Sequence, residues 1–120
     1  MKVILELLLE NEAKALLDEY FAENKPAFAH IRIGLKNACG AVGNTLCLRP
    51  DKETVHDSRL QAGGYNFVMD KDLAAQVGRW LRIGAKEHGG FQISSELPLD
   101  AIACEVNGRK LQTRPQGCML

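Results

Sequence analysis

Four cysteines are the residues of this sequence with the widest range of possible chemistry: Cys39, Cys47, Cys104 and Cys118. Thiolates are soft ligands that suit iron, zinc and iron–sulfur clusters, and an activated thiol can also act as a nucleophile. An oxidising compartment would permit two disulfides, whereas cytosolic reductants keep such thiols free, so we expect free thiols here. Metal binding, thiol chemistry and plain burial are the alternatives that remain.

Several other chemistries are excluded because their residue spacings do not occur. The sequence has no Walker phosphate loop, no His-Glu-x-x-His helix, no Gly-x-Ser-x-Gly elbow and no Cys-x-x-Cys. None of the three histidines has a second imidazole at metal-ligand spacing or is placed by sequence to activate a thiol. The carboxylates near turns and strand edges are expected to be solvated: Asp51, Glu53, Asp57, Asp70 and Asp72. We therefore expect a protein that is not an enzyme.

Length and charge limit the remaining classes of protein. A chain of 120 residues suits one domain with one core, spanning residues 1–120. Fifteen basic residues balance fifteen acidic ones, which argues against nucleic acid as a partner. Glu6 and Glu10 interrupt the apolar start of the chain, and no apolar run of about 18 residues could span a bilayer. The sequence thus predicts a cytoplasmic protein without membrane contact.

The elements that must position the cysteines begin with a strand over Val3–Leu7 and one clear helix. Asn11 can cap a helix from about Glu12 to Glu23, with apolar residues at spacings of three and four on one face. Residues 28–35 then alternate with a period of two, which predicts a strand that has one buried face. This strand leads directly into the glycine-rich segment that contains Cys39.

Further short strands are predicted over residues 45–49, 54–60, 65–69, 80–83, 91–94, 101–106 and 110–113. Residues 50–53 read as a turn, residues 70–77 as a short helical stretch capped by Asp70, and Asn107-Gly108 as a hairpin turn. This pattern predicts an α+β domain, mainly β, with two small packed mixed sheets and one N-terminal helix. The predicted core residues are Leu16, Leu17, Ile31, Ile33, Phe67 and Phe91.

Three segments in this order resemble the HesB-like family of A-type iron–sulfur carriers. They are Ile31 to Lys36 leading into a Cys-Gly loop, Gly64 to Asp70, and Gly90 to Ile93. The resemblance extends over nearly the whole chain and implies a HesB-like pseudobarrel or sandwich. It also implies a role in iron–sulfur cluster assembly, with iron or a [2Fe-2S] or [4Fe-4S] cluster as cargo and assembly or client proteins as partners.

The family's ligands are one cysteine after the strand that matches Ile31 to Leu35 and a Cys-Gly-Cys near the C-terminus. Cys39 matches the first position, and 64 residues separate it from Cys104, an interval much like the one the family keeps. The third position departs from the pattern, because Val106 stands there and valine cannot bind iron. The donors considered in its place are Cys118, Glu105 and His88.

Two thiolates per chain are half of the four sulfur ligands of a cluster, so a homodimer sharing one site is expected, with Cys39 and Cys104 close together. The missing Cys-Gly-Cys supports an alternative: a HesB-like domain without metal chemistry that binds or regulates a protein partner. Cys47 lies between Leu46 and Leu48 on a predicted strand and is expected to be structural. On that view, Cys47→Ser would leave bound iron nearly unchanged.

Overall fold

The computed structural model describes residues 5–24, 30–36, 45–87, 89–98, 105–106 and 109–110. Within these residues the chain forms nine strands and two helices. In chain order they are β1 (Glu6–Leu9), α1 (Asn11–Asn24), β2 (His30–Lys36), β3 (Thr45–Asp51), β4 (Asp57–Ala62), β5 (Tyr65–Asp70), α2 (Lys71–Val77), β6 (Trp80–Ala85), β7 (Phe91–Ser95), β8 (Glu105–Val106) and β9 (Arg109–Lys110).

Two mixed sheets make up most of the structure. One has the strand order β3-β2-β5-β4, in which only β2 and β5 run parallel, and the other has the order β1-β6-β7, in which only β1 and β6 run parallel. The two-residue strands β8 and β9 pair with each other across Asn107-Gly108. The expectation of an α+β domain with two small mixed sheets is therefore confirmed, as is the strand pairing around that turn.

The core lies between the sheets and α1. Five of the six predicted core residues are buried: Leu17, Ile31, Ile33, Phe67 and Phe91. Leu16 is only partly buried and packs against the core from its edge, because Ala13 and Leu17 take the inward positions of α1. Alternation along β2 places Ile31, Ile33 and Leu35 on the buried face, as its period of two predicts.

Several strand boundaries differ from those predicted, and three of the differences have a structural basis or fall at the edge of the described part. β1 covers Glu6–Leu9 rather than residues 3–7, of which residues 1–4 lie outside the described part. β3 continues through Pro50 and Asp51, which we predicted as a turn. Among the described residues β3 is the outermost strand of its sheet, where a proline that cannot donate to a neighbour is tolerated. β4 begins at Asp57 rather than Thr54, because the side chain of Asp57 accepts the backbone N–H of Thr54 and holds a turn before the strand.

The short stretch predicted after Asp70 is a second helix, so the expectation of one helix alone is corrected. The carboxylate of Asp70 accepts the backbone N–H of Asp72 at 2.8 Å and thereby caps α2. The helix ends at Gly78, whose φ of +97° favours glycine; a Cβ there would also lie 2.7 Å from Cβ of Glu96. Within the described part of the chain, no helix is long and apolar enough to cross a membrane.

Candidate functional site

The hairpin formed by β2 and β3 flanks the segment that contains Cys39. Cys47 lies directly opposite Gly34 in the register of the two strands. Its neighbours Leu46 and Leu48 are buried, whereas Cys47 is half-buried. Because side chains alternate along a strand, Cys47 belongs to the outer face of the hairpin, turned away from the core. We call this surface the outer face; it comprises Arg32 and Gly34 of β2 and Cys47 and Arg49 of β3.

Cys47 takes part in a disulfide bond. The cysteine at the other end of this bond lies outside the described residues. The expectation of free thiols is therefore wrong for Cys47 in this structure. Its spacing from the other cysteines gave no sign of the bond. Cys47 thus belongs to a pair of sulfur atoms rather than being an isolated buried thiol.

The three cysteines that the sequence analysis assigned to a metal or cluster, Cys39, Cys104 and Cys118, lie outside the described residues. Their assignment stays a prediction, as does the expected approach of Cys39 to Cys104. Across the described ranges, no group of three or more His, Cys, Asp and Glu side chains could hold a metal ion.

Arg32 occupies the middle of the outer face and is held by two carboxylates. Its Nε donates to Asp51 Oδ2 at 2.6 Å, and its two Nη groups donate to the two oxygens of Asp57 at 2.8 and 2.7 Å. Nη2 also donates to the carbonyl oxygen of Lys52 at 3.1 Å. The side chain of Asp57 is only 1% exposed and that of Arg32 12%. This forked ion pair ties together three strands and the turn before β4.

The ion pair sets the pKa values of its members. Burial alone would raise the pKa of Asp57, but the hydrogen bonds from Arg32 and from the backbone N–H of Thr54 outweigh it and hold that pKa below its usual value. Burial would also raise the pKa of Asp51, but the hydrogen bonds from Arg32 and from the backbone N–H of Lys52 outweigh it and hold that pKa below its usual value. Hydrogen bonds to Asp57 in turn raise the pKa of Arg32. All three groups are therefore charged at neutral pH.

Arg49 lies opposite Arg32 and two residues beyond Cys47 on the same strand. Two like charges directly opposite each other would repel, and Asp51 relieves this by accepting both Arg32 Nε and Arg49 Nη2, the latter at 3.3 Å. The Nε of Arg49 is buried and finds no hydrogen-bond acceptor among the described residues. Within the part of the chain that the structure describes, the outer face therefore holds a buried N–H donor without an acceptor, two residues from Cys47.

A cleft between β1, β4 and α2 is the second notable surface feature. It has a volume of about 560 Å³ and is lined in part by Leu5, Arg59, Lys71 and Arg79, with no acidic or cysteine side chain among its described lining residues. Arg59 and Arg79 are paired with glutamates that lie outside the cleft lining. The cleft combines apolar walls with positive charge and is separate from the outer face of the hairpin.

Two features of the outer face were not predicted from the sequence. Asp57 was expected to be a solvated carboxylate, whereas it is buried against Arg32. Only a weak signal for this pair was present in the sequence. Arg32 is the only charged residue in the alternating part of β2 from Ile31 to Leu35, and a charged side chain that is buried needs a partner of opposite charge. The four cysteines permitted disulfides, but nothing in their spacing marked Cys47 as a member of one.

Comparison with known proteins identifies the architecture. No model of a known protein family matches the chain, and no curated protein does. Among solved structures, Escherichia coli SufA, described as involved in biosynthesis of iron–sulfur clusters, aligns with a TM-score of 0.61 at 16% identity, over 82% of this chain and 88% of SufA. IscA, solved with a [2Fe-2S] cluster, aligns with a TM-score of 0.60 at 17% identity, over 90% of this chain and 98% of IscA.

The chain has the fold of the A-type iron–sulfur carriers SufA and IscA. The resemblance drawn from three short sequence segments is thus confirmed at the level of the fold. Coverage of 98% of IscA means that the likeness extends over essentially that whole protein rather than over one shared motif. Because the identities are only 16% and 17%, the comparison establishes the fold alone. The chemistry has to be inferred from the residues of this chain.

Proposed function

We propose that this protein assembles or carries iron–sulfur clusters, binding iron or a small cluster as cargo through cysteine thiolates. The observation that carries the proposal is the match of nearly the entire fold to IscA, a protein solved with a [2Fe-2S] cluster. Cys39 and Cys104 are the proposed principal ligands, and Cys118 is a further donor. Support for these residues comes from the sequence interval between Cys39 and Cys104 and from the soft-donor chemistry of thiolates.

A carrier must hold its cargo firmly enough to keep it and loosely enough to release it. Few protein ligands on each chain meet this requirement, and two chains together complete the usual four sulfur ligands of a cluster. A homodimer that shares one cluster follows from this ligand count. The proposed partners are iron–sulfur assembly proteins that donate the cargo and client proteins that accept it. The proposed role is that of a carrier in the cytoplasm rather than an enzyme.

Anaerobic reconstitution tests the proposal. The protein is first reduced with a dithiol, then incubated with ferrous iron and sulfide and desalted, and bound iron and sulfide are counted beside the visible absorption spectrum. We expect a coloured protein with bound iron, loss of most iron in Cys39→Ser and a smaller loss in Cys104→Ser. Ser94→Ala, on an exposed position of β7, is the control and should bind as much iron as the wild type. A wild-type protein that stays colourless and iron-free would contradict the proposal.

The alternative is a metal-free module that binds a protein partner. The cleft between β1, β4 and α2 is the observation that favours it, because apolar walls beside Arg59, Lys71 and Arg79 suit an acidic segment of another protein. Such binding would weaken as salt rises, since it depends on exposed charges. A colourless product after reconstitution, together with salt-sensitive binding of an acidic peptide that Lys71→Glu abolishes, would favour the module over the carrier.

A further inference from the structure

One wall of the cleft between β1, β4 and α2 is the edge of β4. In its sheet β4 pairs with β5 alone, so among the described residues its other edge has no neighbouring strand. The consecutive residues 58–61 line the cleft. Side chains alternate between the two faces of a sheet, so a surface lined by consecutive residues runs along the edge of a strand. The cleft therefore lies beside an unpaired strand edge.

The hairpin turn determines which backbone groups of β4 point towards this edge. Two glycines with positive φ, residues 63–64, connect β4 to β5, so Ala62 and Tyr65 form the pair that flanks a two-residue turn. The pair that flanks such a turn is hydrogen-bonded, and bonded pairs alternate with unbonded ones along an antiparallel ladder. The backbone N–H and C=O groups of Arg59 and Gln61 therefore point away from β5, towards the free edge.

The observed backbone contacts agree with that alternation. Asp57 lies two residues before Arg59 and donates its backbone N–H to the carbonyl oxygen of Thr54 at 3.2 Å, outside the ladder with β5. Within the described part of the chain, the backbone groups of Arg59 and Gln61 make no hydrogen bond to another element. A row of unpaired N–H and C=O groups on a strand edge is a template for a further strand.

The opposite wall of the cleft is a face of α2 with small side chains. Ala74 and Ala75 line it, and Lys71, which lies three and four residues before them, shares their face of the helix. Leu5 and Leu60 also line the cleft. Its volume of about 560 Å³ lies within the range of roughly 300–1,000 Å³ that is typical of binding clefts. A short extended segment therefore has room beside β4.

The charges around the cleft favour an acidic occupant. Its described lining includes Arg59, Lys71 and Arg79 and no acidic side chain. Arg59 and Arg79 are paired with Glu53 and Glu96, but both arginine side chains are largely exposed, and such pairs contribute little and can be exchanged. Lys71 makes no ion pair with any described residue. Carboxylates of a bound segment would therefore be attracted to this lysine.

We propose that the cleft binds an extended acidic segment of a partner protein, which adds to β4 as a further strand of the β3-β2-β5-β4 sheet. Backbone hydrogen bonds to Arg59 and Gln61 supply the affinity, and the cations around the cleft select an acidic sequence. The proposal goes beyond the proposed function, because it concerns how a partner is held rather than what cargo is carried. It applies to a carrier and to a metal-free module alike.

Amide hydrogen exchange followed by NMR measures the strand addition directly. The probe is a peptide of alternating glutamate and valine, about eight residues long, which is acidic and can span β4. In the free protein the amides of Arg59 and Gln61 should exchange faster than that of Leu60, which is bonded to β5. Saturation with the peptide should slow exchange at Arg59 and Gln61 by about tenfold or more and change it at Leu60 by less than about twofold.

Binding of the labelled peptide to variants, followed by fluorescence anisotropy, is the second measurement. Gln61→Pro removes an outward N–H group, a change that an edge strand tolerates, and should weaken binding by about tenfold. Gln61→Ala keeps the N–H group and is the matched control, which should bind like the wild type. Lys71→Gln should weaken binding by about threefold and reduce its dependence on salt. A peptide with lysine in place of glutamate should not bind. Circular dichroism verifies that the variants are folded.

Three results would overturn the proposal. Unchanged exchange at Arg59 and Gln61 in the peptide-bound wild type, or equal binding by folded Gln61→Pro and Gln61→Ala, would mean that charge alone holds the peptide. A wild type that does not bind the peptide would overturn it as well. So would a dimer, detected by sedimentation, that Gln61→Pro dissolves and the peptide cannot displace, since the edge is then occupied by a second copy of the chain. None of these measurements involves iron, so each leaves the proposed carrier function standing.

Discussion

The two faces of the β2–β3 hairpin carry opposite kinds of residue. The inner face is apolar and fully buried, with Ile31 and Ile33 at its centre. The outer face carries the ion pair of Arg32 with Asp57 and the disulfide-bonded Cys47. Apolar packing is non-directional, whereas buried charges and thiols need a specific partner at a specific place. Non-directional apolar packing therefore lies on one side of these strands and partner-specific polar and sulfur contacts lie on the other, although successive residues alternate between them.

The largest effect is expected from breaking the outer ion pair. Arg32→Met leaves the carboxylate of Asp57, which is 1% exposed, without its cationic partner. The free energy of unfolding should fall by about 3–5 kcal/mol, as it does when one member of a buried pair is removed. Urea denaturation at neutral pH measures this loss.

The exposed pair of Arg59 with Glu53 is the control for that measurement. Arg59 Nε lies 2.7 Å from Glu53 Oε1, but the Arg59 side chain is 76% exposed. Arg59→Met should cost about 1 kcal/mol or less. Similar losses for Arg32→Met and Arg59→Met would mean that the outer face has no special dependence on its buried charges.

A substitution on the inner face should lower the free energy of unfolding almost as much, but through lost apolar packing instead of an unpaired charge. Ile33→Ala removes a fully buried side chain and should lower the free energy of unfolding by about 2–5 kcal/mol, whereas Ile33→Val should cost about 0.5–1.5 kcal/mol. Because Ile33 faces the core and is not among the proposed iron ligands, the folded fraction of Ile33→Val should keep wild-type iron content after reconstitution. Loss of iron in this variant without loss of stability would contradict the separation of the two faces.

Of the two faces of the hairpin, acid should act on the outer one, and with a smaller effect near neutral pH. The pKa values of Asp51 and Asp57 are lowered in the folded protein, so the unfolded chain takes up protons first as the pH falls. Their stabilising contribution is complete above the unfolded value near 4 and is lost as the pH falls through the lowered folded values. Denaturation midpoints from pH 6 to about pH 2 should therefore fall more steeply for the wild type than for Arg32→Met. Parallel curves would contradict this assignment.

The inner face was predictable from the sequence because its information is local. Alternation from Ile31 to Leu35 placed Ile31 and Ile33 correctly in the core, and the helical spacing of α1 did the same for Leu17, although not for Leu16. Asn107-Gly108 also indicated the paired strands on either side of it. In each case the residues that form the pattern are close together in the sequence, so the pattern can be recognised without the three-dimensional structure.

The outer face was less predictable because its partners come from different strands. Arg32 meets Asp57 only when β4 and β2 take their places on either side of β5, and no local pattern encodes that order. Pro50 favours a turn in the sequence, and its place in a strand is understandable only because β3 lies at the edge of its sheet among the described residues. Of the candidate site, the sequence offered the cysteines and their interval, while the pairing of Cys47 needed the three-dimensional arrangement.

The most direct test of the central claim is transfer of a cluster from this protein to an acceptor. The reduced wild-type protein is loaded anaerobically with iron and sulfide, freed of unbound ions, and mixed with an apo-ferredoxin in the presence of an iron chelator. If the chain is an iron–sulfur carrier, the ferredoxin acquires its cluster and the carrier loses its colour in proportion, while the chelator has little effect. If the fully reduced protein binds no cluster, or if the ferredoxin stays without one while the chelator takes all the iron, the carrier account is wrong.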